Sequence, residues 1–457
     1  MASHVFSREP KPVPPVRSNH RTIQTAIPAP GTTALLATLD QVESRSMHGQ
    51  LPLVWHKAKG HSIYDHAGNR WIDFTSTIFV TNIGHAHEHL KERLQEVLSG
   101  DLLHSYAYAN EIRARYLKKL VAFAHPLEKA FLLSSGTEAT EAALKLMRMQ
   151  GQKKNKRRLG VVCIEGNWHG RTMGAQMMSS NTAQKAWIGY QDPDIHHIPF
   201  PYPWKVKGES GRELFSAAME ELRKKGVDVK QDICGFMLET FQGWGAIFYP
   251  QDFVKAVSDF SRDHDALLAF DEMQAGFGRT GKRFGFEHYN VAPDLIAVGK
   301  GMGSGLPLSG VIGRSEIMDL PEVGNMSSTH SANPLVCAAG LATLEVLESE
   351  NLVVESERKG KLFFDRLNAL KTRYPKHISH VLGNGMIAAV LFRDPETGEP
   401  NSALPSMASE KAMQKGLLVV HTGRESIKMG PPLCIPDEAL MEGIDVLEES
   451  IRECIKK

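Results

Sequence analysis

The sequence predicts an α/β protein with a largely parallel sheet and a second, smaller α+β domain. At 457 residues the chain exceeds what one compact core normally accommodates, so two domains are expected. From about residue 87, short apolar runs of strand length alternate with helix-length amphipathic segments, which is the pattern of βαβ units. The apolar runs are AFLL (130–133), GVVCI (160–164), GFML (235–238), ALLAF (266–270) and LIAV (295–298).

The order of the segments gives the expected domain boundaries. Residues 1–30, rich in proline and charge, are expected to form an extended or partly ordered arm. Residues 31–86 are expected to join the smaller domain, residues 87–335 to form the large domain, and residues 336–457 to complete the smaller one. The segments with the clearest local patterns are a hairpin at 60–74, a helix at 333–350, strands at 386–392 and 416–420, and a last helix from Pro436 to about Cys454.

Composition excludes several classes of protein. The net charge is +1, so no strong field favours nucleic acid or an anionic membrane as a partner. Five scattered cysteines form no CxxC pair, which indicates neither a disulfide framework nor a metal site and favours a reducing compartment. The N-terminal residues lack the apolar core of a signal peptide, and no apolar run approaches the ~18 residues of a membrane span. A cytoplasmic protein is expected.

An aspartate and a lysine end two neighbouring predicted strands. Asp271 follows LLAF, Lys300 follows LIAV, and the separation is 300 − 271 = 29 residues. In open α/β sheets, ligands bind beyond the C-terminal ends of the strands, so both side chains are expected in one crevice. A lysine amine can condense with the aldehyde of pyridoxal phosphate (PLP), and a carboxylate can keep the pyridine nitrogen protonated. The pair therefore indicates a PLP site.

Two further segments fit that interpretation. SSGTEATEAALKLMR (134–148) follows a strand and opens a helix, so the backbone N–H groups of Gly136 and Thr137 can bind a phosphate. In GNWHGRT (166–172), Trp168 offers a face for a pyridine ring and Arg171 a planar fork for a substrate carboxylate. There is no GxxxxGK[ST] P-loop, and no GxGxxG follows a strand, which argues against a dinucleotide site.

These motifs together resemble the class III aminotransferases, a group that contains 4-aminobutyrate, ornithine and acetylornithine aminotransferases. The resemblance covers the chain from about residue 50 to the C-terminus, and its most specific part is DEMQAGFGRTG followed by the lysine of VGKGMGSGLPLSG. It implies a fold-type I PLP-dependent transferase, with a mostly parallel seven-stranded sheet sandwiched by helices in the large domain. It also implies a homodimer with shared active sites, with a tetramer left open.

The resemblance implies a role for each matching residue. Lys300 corresponds to the Schiff-base lysine that also transfers the proton, and Asp271 to the partner of the pyridinium nitrogen. Thr329 resembles the threonine that reaches the phosphate of the neighbouring subunit. The remaining cofactor residues implied by the resemblance are Gly136 and Thr137 at the phosphate, Trp168 and Met273 on the two ring faces, Gln274 at the phenolic oxygen, and His169 and Glu239 in the same pocket.

Three departures from the family pattern, the third of which involves two residues, lie where substrate is bound. Trp244 stands in place of a glutamate, and Lys428 in place of the arginine with which that glutamate pairs. Lysine lacks the bidentate fork of arginine, although a Trp–Lys cation–π contact is possible. Thr77 and Phe79 replace a glycine and a small residue, so a narrower, more apolar entrance is expected. The predicted substrate-binding residues are Phe79, Arg171, Trp244 and Lys428.

The sequence therefore predicts an aminotransferase that moves an amino group from an ω-amino acid or other primary amine to pyruvate or 2-oxoglutarate by a ping-pong mechanism. Neutral variation of a 4-aminobutyrate-type enzyme would also explain the three departures. Racemases, epimerases, aminomutases and a decarboxylating aminotransferase share the scaffold and remain alternatives. A PLP-binding transcription regulator would need a DNA-binding module, for which the first 50 residues are too short and too rich in proline.

Overall fold

The computed structural model describes residues 4–47 and 50–456, and the chain separates into two compact units. The larger unit comprises Glu88–Gly243 and Ile247–Val353. The smaller unit comprises the residues up to His87, Trp244–Ala246 and the residues from Val354 onward. The larger unit thus extends past the expected boundary at 335, because the helix that follows packs against two other helices of the same unit.

The core of the larger unit is a seven-stranded sheet, as predicted. Six strands run in one direction and one runs against its two neighbours. Across the sheet, the strands follow the order Lys129–Leu133, Ser309–Gly313, Leu295–Val298, Leu267–Asp271, Ile233–Glu239, Gly160–Ile164 and Ile195–Ile198. The central parallel strands are buried along their whole length, which explains their continuous apolar sequences.

Helices surround this sheet. The longest of them begins with a capping box in which the Glu138 carboxylate accepts the backbone N–H of Ser135 at 2.6 Å. The helices of the larger unit are Glu88–Ser99, Glu111–Phe123, Gly136–Lys153, Met173–Met178, Thr182–Lys185, Gly211–Lys224, Gln251–Asp263, Ser315–Met318 and Pro334–Ser349, with short 3-10 turns at Ala186–Ile188, Gly285–Tyr289 and Lys300–Met302. A two-stranded ribbon joins Phe241–Gln242 to Ile247–Phe248. Among the described residues, no helix has the length and apolarity needed to cross a bilayer.

Strand register brings the predicted catalytic groups to one edge of the sheet. Asp271 lies opposite Glu239 on one side and opposite Ala297 on the other. Lys300 follows Val298 by two residues at the end of the neighbouring strand. The carboxyl ends of these parallel strands therefore meet where ligands bind in open α/β folds.

Among the described residues, the smaller unit contains two sheets of mostly antiparallel strands, four helices of at least 11 residues and the short helical turn Ser76–Phe79. Its first sheet includes the predicted hairpin, in which Ser62 lies opposite Ile72. The strands of the two sheets are Val16–Arg17, Thr22–Ile23, Lys57–Lys59, Ser62–Tyr64, Arg70–Asp73 and Leu417–Leu418, and then Ile378–Asn384, Ile387–Phe392, Val420–His421 and Ser426–Met429. The helices are Thr32–Val42, Leu352–Arg373, Ala403–Gln414 and Asp437–Ile455, and the first two residues of the second helix, Leu352 and Val353, belong to the larger unit.

The N-terminal arm is more ordered than an extended segment. Val16–Arg17 and Thr22–Ile23 pair as a short ribbon, and Thr22 pairs onward with Arg70. Ile23 and Ile27 are buried in a cluster with Trp71, so apolar residues spaced among the prolines fix this part of the chain. Residues 1–3 of the predicted arm lie outside the described residues.

Four consecutive residues of the smaller unit adopt the left-handed conformation. The φ angles of Ser76, Thr77, Ile78 and Phe79 are 43°, 53°, 65° and 66°. Left-handed backbone costs an L-residue about 1–2 kcal/mol, and Thr77 and Ile78 are β-branched, for which it is least favourable. A glycine at position 77, which the resemblance described above implies as the usual residue, would adopt this conformation without that cost.

Buried hydrogen bonds hold this strained turn in place. One carboxylate oxygen of Asp73 accepts the backbone N–H and the hydroxyl of Thr75 at 2.7 and 2.6 Å. The other lies 2.7 Å from Nε2 of His85. The Ser76 hydroxyl donates to the carbonyl of Gly430 at 2.7 Å. The surrounding structure therefore determines a backbone conformation that the local sequence disfavours.

Replacing Thr77 by glycine is expected to stabilise the smaller unit relative to Thr77→Ala. Both variants remove the hydroxyl that donates to the carbonyl of Ser76, but only glycine relieves the left-handed strain. Chemical denaturation should give Thr77→Gly a free energy of unfolding about 1 kcal/mol above that of Thr77→Ala. Equal stability of the two variants would show that the turn carries no strain at this position.

Candidate active site

A cavity of about 190 Å³ opens at the carboxyl edge of the seven-stranded sheet. All of its lining residues belong to the larger unit. They are Gly136, Thr137, Trp168, His169, Gly170, Glu239, Thr240, Phe241, Asp271, Met273, Gln274, Ala275 and Lys300. The structure thus brings together nine of the ten residues that were predicted to bind the cofactor.

Thr329 is the tenth, and it lies away from this cavity. It is exposed in the segment before helix Pro334–Ser349, and its carbonyl oxygen lies 2.8 Å from Nε2 of His104. Its side chain therefore does not line the cavity of its own chain, and its role stays a prediction that requires a second subunit.

Asp271 is the buried acid of the cavity. Its Oδ2 lies 2.9 Å from Nδ1 of His169, and its Oδ1 accepts the backbone N–H of Met273 at 3.0 Å. The side chains of Asp271 and His169 are 5% and 0% exposed, so this pair is shielded from water. Both carboxylate oxygens of Asp271 therefore have a hydrogen-bond partner, and the carboxylate is held in one orientation at the buried end of the cavity.

His169 is fixed on three sides. Its backbone N–H donates to the hydroxyl of Ser179 at 2.8 Å, and its carbonyl accepts from the hydroxyl of Thr140 at 2.7 Å. Nε2 is buried and has no hydrogen-bond partner among the described residues. The buried ring supports Asp271, and it is poorly placed for the carboxylate of a substrate, for which Arg171 is the exposed candidate.

The amine of Lys300 is in an environment that favours its neutral form. Burial lowers the pKa of Lys300, and the charges of Asp271 and Glu239 oppose that shift only in part. A neutral amine is the form that attacks an aldehyde and that accepts a proton. Lys300 also has a φ of 46°, so the backbone that presents this amine is strained.

Gly136 and Gly299 leave space for the side chain of Met273, which lines the cavity. A Cβ atom on Gly136 would lie 2.9 Å from the sulfur of Met273, and one on Gly299 would lie 2.6 Å from it. Met273 therefore packs against both the start of helix Gly136–Lys153 and the end of a central strand. The first N–H groups of that helix have no intrahelical acceptor, which leaves them able to bind a phosphate beside this apolar side chain.

The loop that carries Trp168 is joined to the same helix. The hydroxyls of Thr137 and Thr172 lie 2.6 Å apart, and Thr172 also donates to Oε1 of Glu141 at 2.6 Å. A Cβ atom on Gly170 would lie only 2.3 Å from Oγ1 of Thr137. Gly170 lines the cavity although it was not among the predicted site residues. Its position inside GNWHGRT could have indicated it, because a close backbone approach of this kind requires glycine.

Thr240, Phe241 and Ala275 also line the cavity without having been predicted. Thr240 and Ala275 directly follow the predicted residues Glu239 and Gln274, and Phe241 comes one residue after Thr240. Side chains that line a cavity through shape alone carry no motif, so sequence patterns gave no signal for these three.

The remaining predicted substrate residues lie in the smaller unit, and their pairing differs from expectation. The ammonium of Lys428 lies 4.5 Å from the ring centroid of Phe79, not over Trp244. The cation over Trp244 is the guanidinium of Arg424, at 3.7 Å. The cation that stacks on Trp244 is thus Arg424, which lies in the exposed turn before the buried strand that carries Lys428.

The chemistry of the donor set in the larger unit fits PLP. It contains an amine for the aldehyde, a buried carboxylate for the pyridine nitrogen, apolar faces from Trp168 and Met273, and a helix N-terminus for the phosphate.

Comparison with known proteins agrees with this geometry. Residues 44–451 match the family described as aminotransferase class-III. The chain belongs to the class III aminotransferases. It is an enzyme that transfers amino groups, and its cofactor is pyridoxal phosphate.

Individual relatives within and beside the class III aminotransferases illustrate its range. A probable 4-aminobutyrate aminotransferase of Bacillus subtilis is 34% identical over 441 residues, which cover 92% of this chain and 99% of that protein. An alanine/serine racemase of Pyrococcus horikoshii is 31% identical, with 98% and 96% coverage. The solved structure of an ornithine aminotransferase from Toxoplasma gondii, described with partial occupancy of PLP at its active site, matches with a TM-score of 0.81, 26% identity, and coverage of 93% and 95%.

Replacing Glu239 by glutamine is expected to shift cofactor attachment to lower pH. The charge of Glu239 raises the pKa of Lys300, so its removal lets that pKa fall further. A lower pKa leaves more neutral amine at a given pH, and the pH profile for PLP attachment to the apoenzyme should move in the acid direction. The rate at which the absorbance of bound cofactor appears, measured against pH, checks this.

The matched control is Glu220→Gln, which removes an exposed helix carboxylate far in sequence from the cavity residues. Its profile should coincide with that of the unmodified enzyme. A shift of the Glu239→Gln profile toward higher pH would contradict the electrostatic assignment.

Proposed function

We propose that the amino donor of this enzyme is an ω-amino acid or another primary amine, and that the acceptor is a 2-oxo acid such as pyruvate or 2-oxoglutarate. The observation that carries the proposal is the exposed guanidinium of Arg171, three residues after the cavity-lining Trp168. A guanidinium in this position can bind one carboxylate through two parallel hydrogen bonds. An ω-amino acid presents such a carboxylate at a distance from its amine.

Lys428 in the smaller unit supports a substrate site that differs from that of enzymes with a second carboxylate-binding arginine. Lys428 is 2% exposed, and its ammonium lies against the ring of Phe79. A buried ammonium on an aromatic face offers neither the planar fork nor the exposure that bidentate carboxylate binding requires. This supports a donor that needs no second bidentate site.

The residues of the cavity have separate tasks in the proposed transfer. PLP, when bound, supplies an electron sink for the pair released as a bond to the amine-bearing carbon breaks. Nζ of Lys300 would hold the aldehyde group of PLP, and as a free neutral amine it would remove a proton from substrate and return it. Asp271, held in place by His169, would accept the N–H of the pyridine ring. Because donor and acceptor use the same cavity in turn, ping-pong kinetics are expected.

A second candidate outcome is racemisation, which the similarity to an alanine/serine racemase favours over the other scaffold-sharing reactions. Racemisation needs proton removal and return at the same carbon, and Lys300 can perform both steps. It needs no 2-oxo acid, whereas transamination stops after one turnover without an acceptor. That difference separates the two functions in a single assay.

We also propose a cytoplasmic homodimer in which Thr329 reaches the phosphate bound by the partner subunit. The exposed position of Thr329 outside its own cavity supports this arrangement. All five cysteines are free thiols, which supports a reducing compartment. Light scattering that gave the mass of one 50.6 kDa chain would reject the dimer.

Donor specificity gives the direct test of the proposed reaction. Stopped-flow absorbance of the holoenzyme is expected to show faster conversion of the bound cofactor by 4-aminobutyrate or β-alanine than by the α-amino donors alanine and glutamate. Arg171→Met should raise the KM for an ω-amino acid by about 10- to 100-fold, the value of a charge-assisted carboxylate contact.

The matched substrate is an alkylamine without a carboxylate, whose KM the Arg171→Met substitution should leave nearly unchanged at saturating PLP. Strict dependence on α-amino donors would overturn the proposed donor class. Continued turnover without any 2-oxo acid would show that the enzyme is a racemase.

A further inference from the structure

Arg171 and Trp168 are in direct contact within the larger unit. The guanidinium carbon of Arg171 lies 4.5 Å from the centroid of the Trp168 ring. This is within the range of about 6 Å over which a cation is attracted to an indole face. Arg171 is exposed and Trp168 is half-buried, so the guanidinium covers part of the ring at the mouth of the cavity.

The backbone on either side of Trp168 is fixed by hydrogen bonds. The N–H of Trp168 donates to Oε2 of Glu239 at 3.2 Å, and the next N–H, that of His169, donates to Ser179. These bonds fix the main chain at Trp168. They do not fix the orientation of the indole ring, which depends on side-chain contacts. Among the residues that the structure describes, no second cation or aromatic ring stacks on Trp168.

The turn between the two residues explains why they meet. Gly170 has a φ of 143°, and the space its side chain would fill is taken by Thr137 and Ala175. This packing presses the loop against the start of helix Gly136–Lys153 and folds Arg171 back over Trp168. The contact is therefore a consequence of the same turn that shapes the phosphate end of the cavity.

We propose that Arg171 is a positioning residue for cofactor binding, in addition to the substrate role under the proposed function on which this inference rests. Its guanidinium orients the indole of Trp168 so that the ring presents a face to the cavity. PLP then binds to a ring whose orientation is already fixed, which reduces the ordering cost of binding. Arg171 would thereby contribute to cofactor affinity in the absence of any substrate carboxylate.

A double-mutant cycle on PLP binding tests this inference without substrate. The dissociation constant of PLP for the apoenzyme is measured for the unmodified protein, Arg171→Met, Trp168→Leu and the double variant. Arg171→Met is expected to weaken PLP binding about two- to tenfold, and Arg171→Lys, which keeps the cation, by less. In the Trp168→Leu background, Arg171→Met should have no further effect.

The outcomes separate the possible roles of Arg171. Unchanged PLP affinity in Arg171→Met would overturn the inference and leave Arg171 as a substrate residue alone. An equal loss of PLP affinity from Arg171→Met in the presence and absence of Trp168 would also overturn the inference, because Arg171 would then act on the cofactor directly. Failure of the unmodified protein to bind PLP would instead overturn the proposed function. Thermal melting of each apoenzyme variant confirms that the fold is retained.

Discussion

Asp271 and His169 share a buried contact at the carboxyl edge of the central sheet, and the active site depends on it. The 2.9 Å separation between Oδ2 and Nδ1 fixes the orientation of this carboxylate at a place from which water is excluded. Strand register then places Glu239 beside Asp271, and Lys300 at the end of the next strand. Burial lowers the pKa of Lys300, so this edge of the sheet favours the neutral form of the amine.

The two compact units contribute different kinds of constraint. The larger unit supplies the cofactor cavity from regular strands and helix ends, and among the non-glycine residues that line it only Lys300 has a positive φ. The smaller unit holds four left-handed residues through the buried hydrogen bonds of Asp73 and Ser76. Strain of this kind persists only where surrounding contacts determine it, and here it fixes Phe79 beside Lys428. Thr77 and Phe79, which depart from the family pattern, therefore both lie in this left-handed segment.

Sequence patterns predicted the sheet, the cofactor and most of the cavity, because continuous apolar strands and polar strand ends have direct structural causes. Ile195–Ile198 and Ser309–Gly313 were missed, since histidines interrupt the first and glycines dilute the second. Side-chain pairing was harder to predict. A cation–π contact between Trp244 and Lys428 was one possibility, but strand placement buries Lys428 against Phe79, and Arg424 stacks on the indole. Such contacts depend on tertiary packing, which residue spacing does not encode.

Covalent trapping of the cofactor gives the most direct test of this account. Borohydride reduction of the PLP-loaded enzyme, followed by proteolysis and mass spectrometry, should place the cofactor on the peptide that contains Lys300 and on no other. The Lys300→Ala variant should retain its fold and yield no modified peptide. A protein that stays colourless with PLP, or a modification that maps to another lysine, would contradict the central claim.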